Sequence, residues 1–95
     1  MLILSVNTAS PKTAIALLEK KADKLKILSE KSWPAKNSEA EKLMPEIEKL
    51  LKKNKNHYAN IKEIIVVKGP GSFTGLRVGV TVANTIAYLT GAKLF

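Results

Sequence analysis

A chain of 95 residues with 45% apolar content has the size and composition of one small globular domain with a modest core. It contains no cysteine, which excludes disulfides, thiolate metal sites and cysteine catalysis and suits a reducing compartment. Sixteen basic side chains against 8 acidic ones give a net charge of +8, nearly all of it lysine, with Arg77 the only arginine.

The chain opens with Leu2-Ile3-Leu4-Ser5-Val6, a mostly apolar first strand. Asn7 to Lys12, with Asn, Ser and Pro11, is a turn, and Thr13 to Glu19 is a second strand. Lys20 to Lys24 makes the next turn. Leu25, Ile27 and Ser29 then alternate with Lys26, Leu28 and Glu30 in a third strand, so the three form an antiparallel meander closed by Trp33-Pro34.

A polar linker leads to Ser38, whose spacing to Glu41 is that of a capping box. Ala40, Leu43, Met44, Ile47, Leu50 and Leu51 fall on one helix face, and Glu48 and Lys52 form an i,i+4 pair. Pro45 removes one backbone donor, which predicts a kink or a late helix start. Met44 and Leu51 are open to two readings, contact with a partner or ordinary core packing. After a polar loop that holds His57, the only histidine, Ile64-Ile65-Val66-Val67 runs without alternation, the pattern of a strand covered on both faces.

The glycine-rich turn Lys68-Gly69-Pro70-Gly71-Ser72-Phe73-Thr74-Gly75-Leu76-Arg77-Val78-Gly79 follows and leads into an apolar helix pattern from Phe73 to Leu89 that ends at Thr90-Gly91. Two readings of the turn are open. Gly69, Gly71 and Ser72 bring backbone N–H groups to a phosphate on the positive end of the helix dipole, or the glycines only supply the conformations of a sharp turn. Neither G-x-x-x-x-G-K-[ST] nor G-x-G-x-x-G is present. Within the helix, Gly75, Gly79, Ala83 and Ala87 recur every four residues as a stripe of small side chains. A helix glycine costs about 1 kcal/mol relative to alanine, so Gly79 implies a need for space, to admit either a partner helix or the chain's own other helix.

The order βββαβα, with another strand starting at Ala92 to Phe95, predicts an α/β fold. A right-handed crossover puts the fourth strand parallel to the first in a mixed sheet. With the fifth strand incomplete, Ile64 to Val67 is expected to be an unprotected edge. The catalytic inventory is thin: there is no cysteine, no histidine cluster and no convincing carboxylate pair, and Ser72 has no evident base. No catalytic, metal or cofactor residue is assigned.

The string KGPGSFTGLRVG, the opening LILSVNTAS and the segment LMPEIEKLL at Leu43 to Leu51 resemble the N-terminal half of the bacterial TsaB family. That family is related to the glycoprotease-like proteins, within the actin, Hsp70 and sugar-kinase superfamily of folds. The resemblance implies a single N-terminal lobe over residues 1–95, its last strand truncated and the family's second lobe absent. It implies a protein that is no enzyme by itself but a noncatalytic partner in making tRNA threonylcarbamoyladenosine. Its partners would be a TsaD-like catalytic subunit, a TsaE-like ATPase and a second copy in a homodimer, with tRNA contacted indirectly. The family pairs through the two helices of this lobe, which agrees with the stripe and assigns Gly75, Gly79, Ala83, Ala87, Met44 and Leu51 to partner binding. A peptidase role has no residues to carry it.

Asn7 stands where many relatives carry an aspartate near nucleotide and metal, which weakens a phosphoryl-transfer site, and Glu39 stands where relatives often show histidine. The alternative function is a nucleotide-binding lobe of an actin/Hsp70-like protein. A third, nonspecific RNA binding, rests on charge alone: the lysines are scattered with little aromatic interleaving, so base stacking is not suggested. No apolar run approaches the roughly 20 residues a membrane helix needs and the start lacks a signal peptide's charged leader, so a soluble, cytoplasmic protein is expected.

Overall fold

The computed structural model describes residues 1–8, 12–34, 39–67 and 73–95. Strands β1 (Leu2–Asn7), β2 (Lys12–Lys21) and β3 (Lys24–Pro34) form the expected meander, followed by helix α1 (Glu39–Lys53), a 3₁₀ turn (Tyr58–Asn60), β4 (Ile61–Val66), helix α2 (Phe73–Thr90) and β5 (Lys93–Leu94). The sheet order is β3-β2-β1-β4-β5. β1 is antiparallel to β2 and parallel to β4, and β4 is parallel to β5, so the sheet is mixed.

Alternation decides which side of the sheet is covered. Leu2, Leu4 and Val6 of β1, Thr13, Ile15 and Leu17 of β2, and Ile61, Ile64 and Val66 of β4 are buried. The apolar members of that set join Leu43, Ile47, Leu50 and Leu51 of α1 and Ala83 and Ile86 of α2 in one core. Both helices therefore lie on the same face. Packing of this kind stabilises by roughly 25 cal/mol per Å² of apolar surface removed from water, and it depends on the helix periodicity matching the strand periodicity.

On the opposite face Ile65 and Val67 are 39% and 38% exposed, so the β4 run is covered on one side only and not on both. β-branched residues favour strands whether or not both faces are buried, which is why the run misled. The unprotected edge expected for Ile64 to Val67 is also corrected. β5 pairs Glu63 with Lys93 and Ile64 with Leu94, and Phe95 extends the ladder by donating its N–H to Ile64 O at 2.8 Å and accepting from Val66 N at 2.9 Å.

The hairpin turn is tighter than Lys20 to Lys24. Lys21 pairs with Lys24, leaving a two-residue turn in which Ala22 has φ 53°, the left-handed conformation that such turns demand. A bulge between Leu17 and Leu18 shifts the β2–β3 register and leaves Leu28 without a ladder partner.

α1 begins at Glu39, well before Pro45, so the late-start reading does not hold. Ser38 of the expected capping box lies outside the described residues. Glu48 and Lys52 form their pair at 3.2 Å. Gly91 ends α2 with φ 75° and donates its N–H to Ala87 O at 2.8 Å, the glycine cap read from the sequence.

Candidate functional site

α2 has two unlike sides, and Gly79 and Ala83 of the small-residue stripe lie on the inner one. A side-chain carbon added to Gly79 would stand 2.3 Å from Thr8 Oγ1, at the exit of β1, where Thr8 is 2% exposed. Ala83 is fully buried in the core and Ala87 packs against it. The space that Gly79 provides is thus filled by this chain's own Thr8, just past the end of β1. Leu51 is 1% exposed, and Met44 is partly buried against the core, its carbonyl accepting a bond from Tyr58 Oη at 3.3 Å. Gly79, Ala83 and Leu51 are covered within the chain, because their helix faces coincide with the sheet-facing positions. Gly75 lies in the first turn of α2. Gly69, Gly71 and Ser72 fall outside the described residues.

The outer side of α2 carries Thr81, Asn84, Thr85, Tyr88 and Leu89, all exposed. Tyr88 is 88% exposed and Leu89 74%. From Val78 to Ala92 there is no charged residue, in a chain where 25% of residues are charged. The hydroxyls of Thr85 and Thr90 donate back to the carbonyls of Thr81 and Ile86 at 2.9 and 2.7 Å, so they offer little to water. Asn84, Thr85, Ala87, Tyr88, Leu89 and Leu94 line a shallow groove where α2 meets β5. α1 contrasts with this: Lys42, Glu48, Lys49, Lys52 and Lys53 are exposed on its outer side. The residues missed by the small-residue stripe were signalled by that absence of charge.

Between α1 and β3 lies an ionic cluster. Glu46 pairs through Oε2 with Lys31 and through Oε1 with Lys49 at 3.3 Å, its side chain only 15% exposed. The Lys31 ammonium, then Lys49, hold this carboxyl below the ordinary glutamate range against the opposing effect of burial. A lowered folded value means that the stabilisation is complete above the unfolded value and lost as pH falls through the folded one. Glu46→Gln is therefore expected to melt at lower temperature than the parent chain above about pH 5, with the gap closing as acid protonates the parent's carboxylate. Circular-dichroism melts across the acid range check this, and a gap unaltered by pH would refute it. Tyr58 is pushed the other way: burial, then the nearby Glu48, raises its hydroxyl above the usual phenol range.

β1 and β4 are parallel and adjacent, and their connections leave in opposite directions across the sheet, so their carboxyl ends form a topological switch point. Asn7 and Val67 stand there, beside Ser5 and Ala14 in a groove on the uncovered face. This is where the nucleotide reading would place its ligand. Among the described residues no group of three or more His, Asp or Glu side chains is placed to hold a metal ion, and no helix is long and apolar enough to cross a membrane.

Residues 26–95 match the family described as TsaD, tRNA N6-adenosine threonylcarbamoyltransferase. The chain belongs to this family. Within it, the similarity is to TsaB proteins. The chain is 34% identical over 93% of its length to the tRNA threonylcarbamoyladenosine biosynthesis protein TsaB of Bacillus subtilis, and 29% identical over 99% to TsaB of Buchnera aphidicola subsp. Schizaphis graminum. It spans 37% and 42% of those two proteins, about two-fifths of the length of the relatives it matches. YeaZ from Pseudomonas aeruginosa superposes over 99% of the chain with a TM-score of 0.85 at 21% identity, the chain covering 42% of that structure. The chain thus shares the α/β fold of that structure, the fold its motifs implied.

Proposed function

We propose that this TsaB-family lobe serves tRNA threonylcarbamoyladenosine biosynthesis as a noncatalytic partner subunit. It docks through the outer side of α2 onto a TsaD-like catalytic subunit or a second copy of itself, with a TsaE-like ATPase joining the assembly in the cytoplasm. The observation that carries the reading is the uncharged, exposed surface centred on Tyr88 and Leu89 and continued by Leu94 and Phe95. Depletion of charge and an accessible tyrosine mark the core of protein interfaces, where such anchors dominate binding. Gly79, Ala83 and Leu51 contribute from within the chain by setting the position of the two helices, whereas Ala87, which lines the groove, belongs to the docking surface together with Gly75 and Met44.

The family relationship supports the pathway, since the TsaB relatives carry its name. Tyr88→Asp is expected to weaken pairing at least tenfold, because an interface tyrosine of this kind is worth about 2 kcal/mol or more. Light scattering over a concentration series and a pull-down with TsaD from a related bacterium measure the effect. The melting temperature of the variant should stay that of the parent, since Tyr88 is 88% exposed. Parent-like pairing by the variant, or a parent chain that stays monomeric and ignores TsaD, would rule the surface out. Calorimetric heat on titrating millimolar ATP would instead favour the nucleotide-binding alternative at the switch point.

A further inference from the structure

The sequence scatters its lysines, but the fold gathers several of them. Glu30, Lys31, Glu46, Lys49, Leu50 and Lys53 line a groove between β3 and α1. Ser29 Oγ reaches Asn54 Oδ1 at 3.5 Å just beyond the end of α1, so strand and helix stay in contact along this seam. Past the bulge, the register places Lys26 opposite Glu19 and Lys24 opposite Lys21, which returns Lys24 and Lys26 to the face that carries Ser29 and Lys31. Five lysines, 24, 26, 31, 49 and 53, thus border one strip about 20 Å long.

The carboxylates along the strip, with Asp23 in the turn beside Lys24, are fewer than its lysines. Glu46 is shared between Lys31 and Lys49, and Glu19 takes the N-terminal ammonium at 3.2 Å. Glu30 is the remaining acid in the groove. Lys24, Lys26 and Lys53 are exposed and have no ion-pair partner among the described residues. Among the described residues no aromatic side chain lines the groove, and Trp33, on the same face of β3 beyond Lys31, is packed against the core, so base stacking is not the mode of contact.

We propose that this strip binds the phosphate backbone of RNA without reading sequence. Flexible lysine ammoniums are point charges suited to phosphates, and the row offers a track of them rather than a pocket for one anion. The strip lies at the β3 side of the sheet, whereas the Tyr88 surface adjoins β5 at the opposite edge, so the two can be tested apart. The proposal stands whether or not pairing through Tyr88 does.

Fluorescence anisotropy of a labelled, unmodified tRNA transcript with the 95-residue chain tests it. Affinity is expected to fall roughly 20- to 100-fold between 50 and 200 mM salt, as release of counterions from about three to four phosphate contacts requires, the two lysines that share Glu46 counting as one. The double variant Lys26→Glu and Lys53→Glu should bind at least tenfold more weakly in low salt, with the salt slope lowered by about 1.5 to 2. Lys62→Glu with Lys93→Glu, on β4 and β5, has the same net charge and should keep affinity within about threefold of the parent. The alanine pair at 26 and 53 should show the same ranking, and melts of all variants should match the parent. Equal weakening by the two glutamate pairs, no binding in 50 mM salt, or tighter binding of polyglutamate peptide than of RNA would each overturn the proposal.

Discussion

Leu51→Ala is expected to destabilise the fold by about 2 to 5 kcal/mol, the range for truncating a buried leucine whose cavity does not fully collapse. Leu51 is 1% exposed and belongs to the core cluster with Leu43, Ile47 and the strand residues of β1, β2 and β4. A domain of this size has a total stability on the order of 5 to 14 kcal/mol, so the substitution removes a large part of it. At roughly 4 to 8 °C per kcal/mol, the melting temperature should drop by at least about 8 °C. Thermal unfolding of the isolated chain measures this directly. A Leu51 that faced a partner would show the opposite pattern, with a parent-like melt and lost pairing, and that outcome would return the residue to the interface.

Gly79→Ala should destabilise by about 1 to 3 kcal/mol, although alanine is the better helix former by about 1 kcal/mol. The added carbon would come within 2.3 Å of Thr8 Oγ1 and 3.4 Å of Thr8 Cγ2. Thr8 is buried, with 2% exposure, so it has little room to swing away. Overpacking then exceeds the gain in helix propensity. Thr8→Ala removes the clashing oxygen, and a double-mutant cycle should show the two substitutions together costing less than their sum. Differential scanning calorimetry of the four proteins gives the coupling. Strict additivity, or a more stable Gly79→Ala, would mean that the helix and the end of β1 do not meet as described.

The meander, the amphipathic face of α1 and the glycine cap of α2 were legible because each rests on local chemistry: alternation in β2, the spacing of Leu43, Ile47, Leu50 and Leu51, and Gly91 after Thr90. Contacts between segments distant in sequence were not. Nothing near Gly79 announces that Thr8 will fill its space, and a periodic stripe defines a helix face without saying what lies against it. The same limit led Ile64 to Val67 to be read as buried on two sides, since composition cannot report that both helices chose one face. The surface around Tyr88 was readable in principle from the long uncharged stretch after Arg77, but the small residues beside it gave a stronger pattern. The gathering of Lys24, Lys26, Lys31, Lys49 and Lys53 needed the β3–α1 packing, which no lysine spacing encodes.

The central position of β1 has a consequence for how the protein is made. Its antiparallel neighbour β2 is synthesised next, so one side of β1 can pair as soon as β2 has left the ribosome. Its parallel neighbour β4 begins only at Ile61, after the whole of α1, and Gly79 reaches Thr8 later still. At roughly 5 to 20 residues per second the nascent chain spends seconds with one flank of its middle strand unsatisfied and its apolar face uncovered. During that interval the apolar face of the early meander is exposed to association with other chains, and it is covered only when the parallel strand and the helices dock.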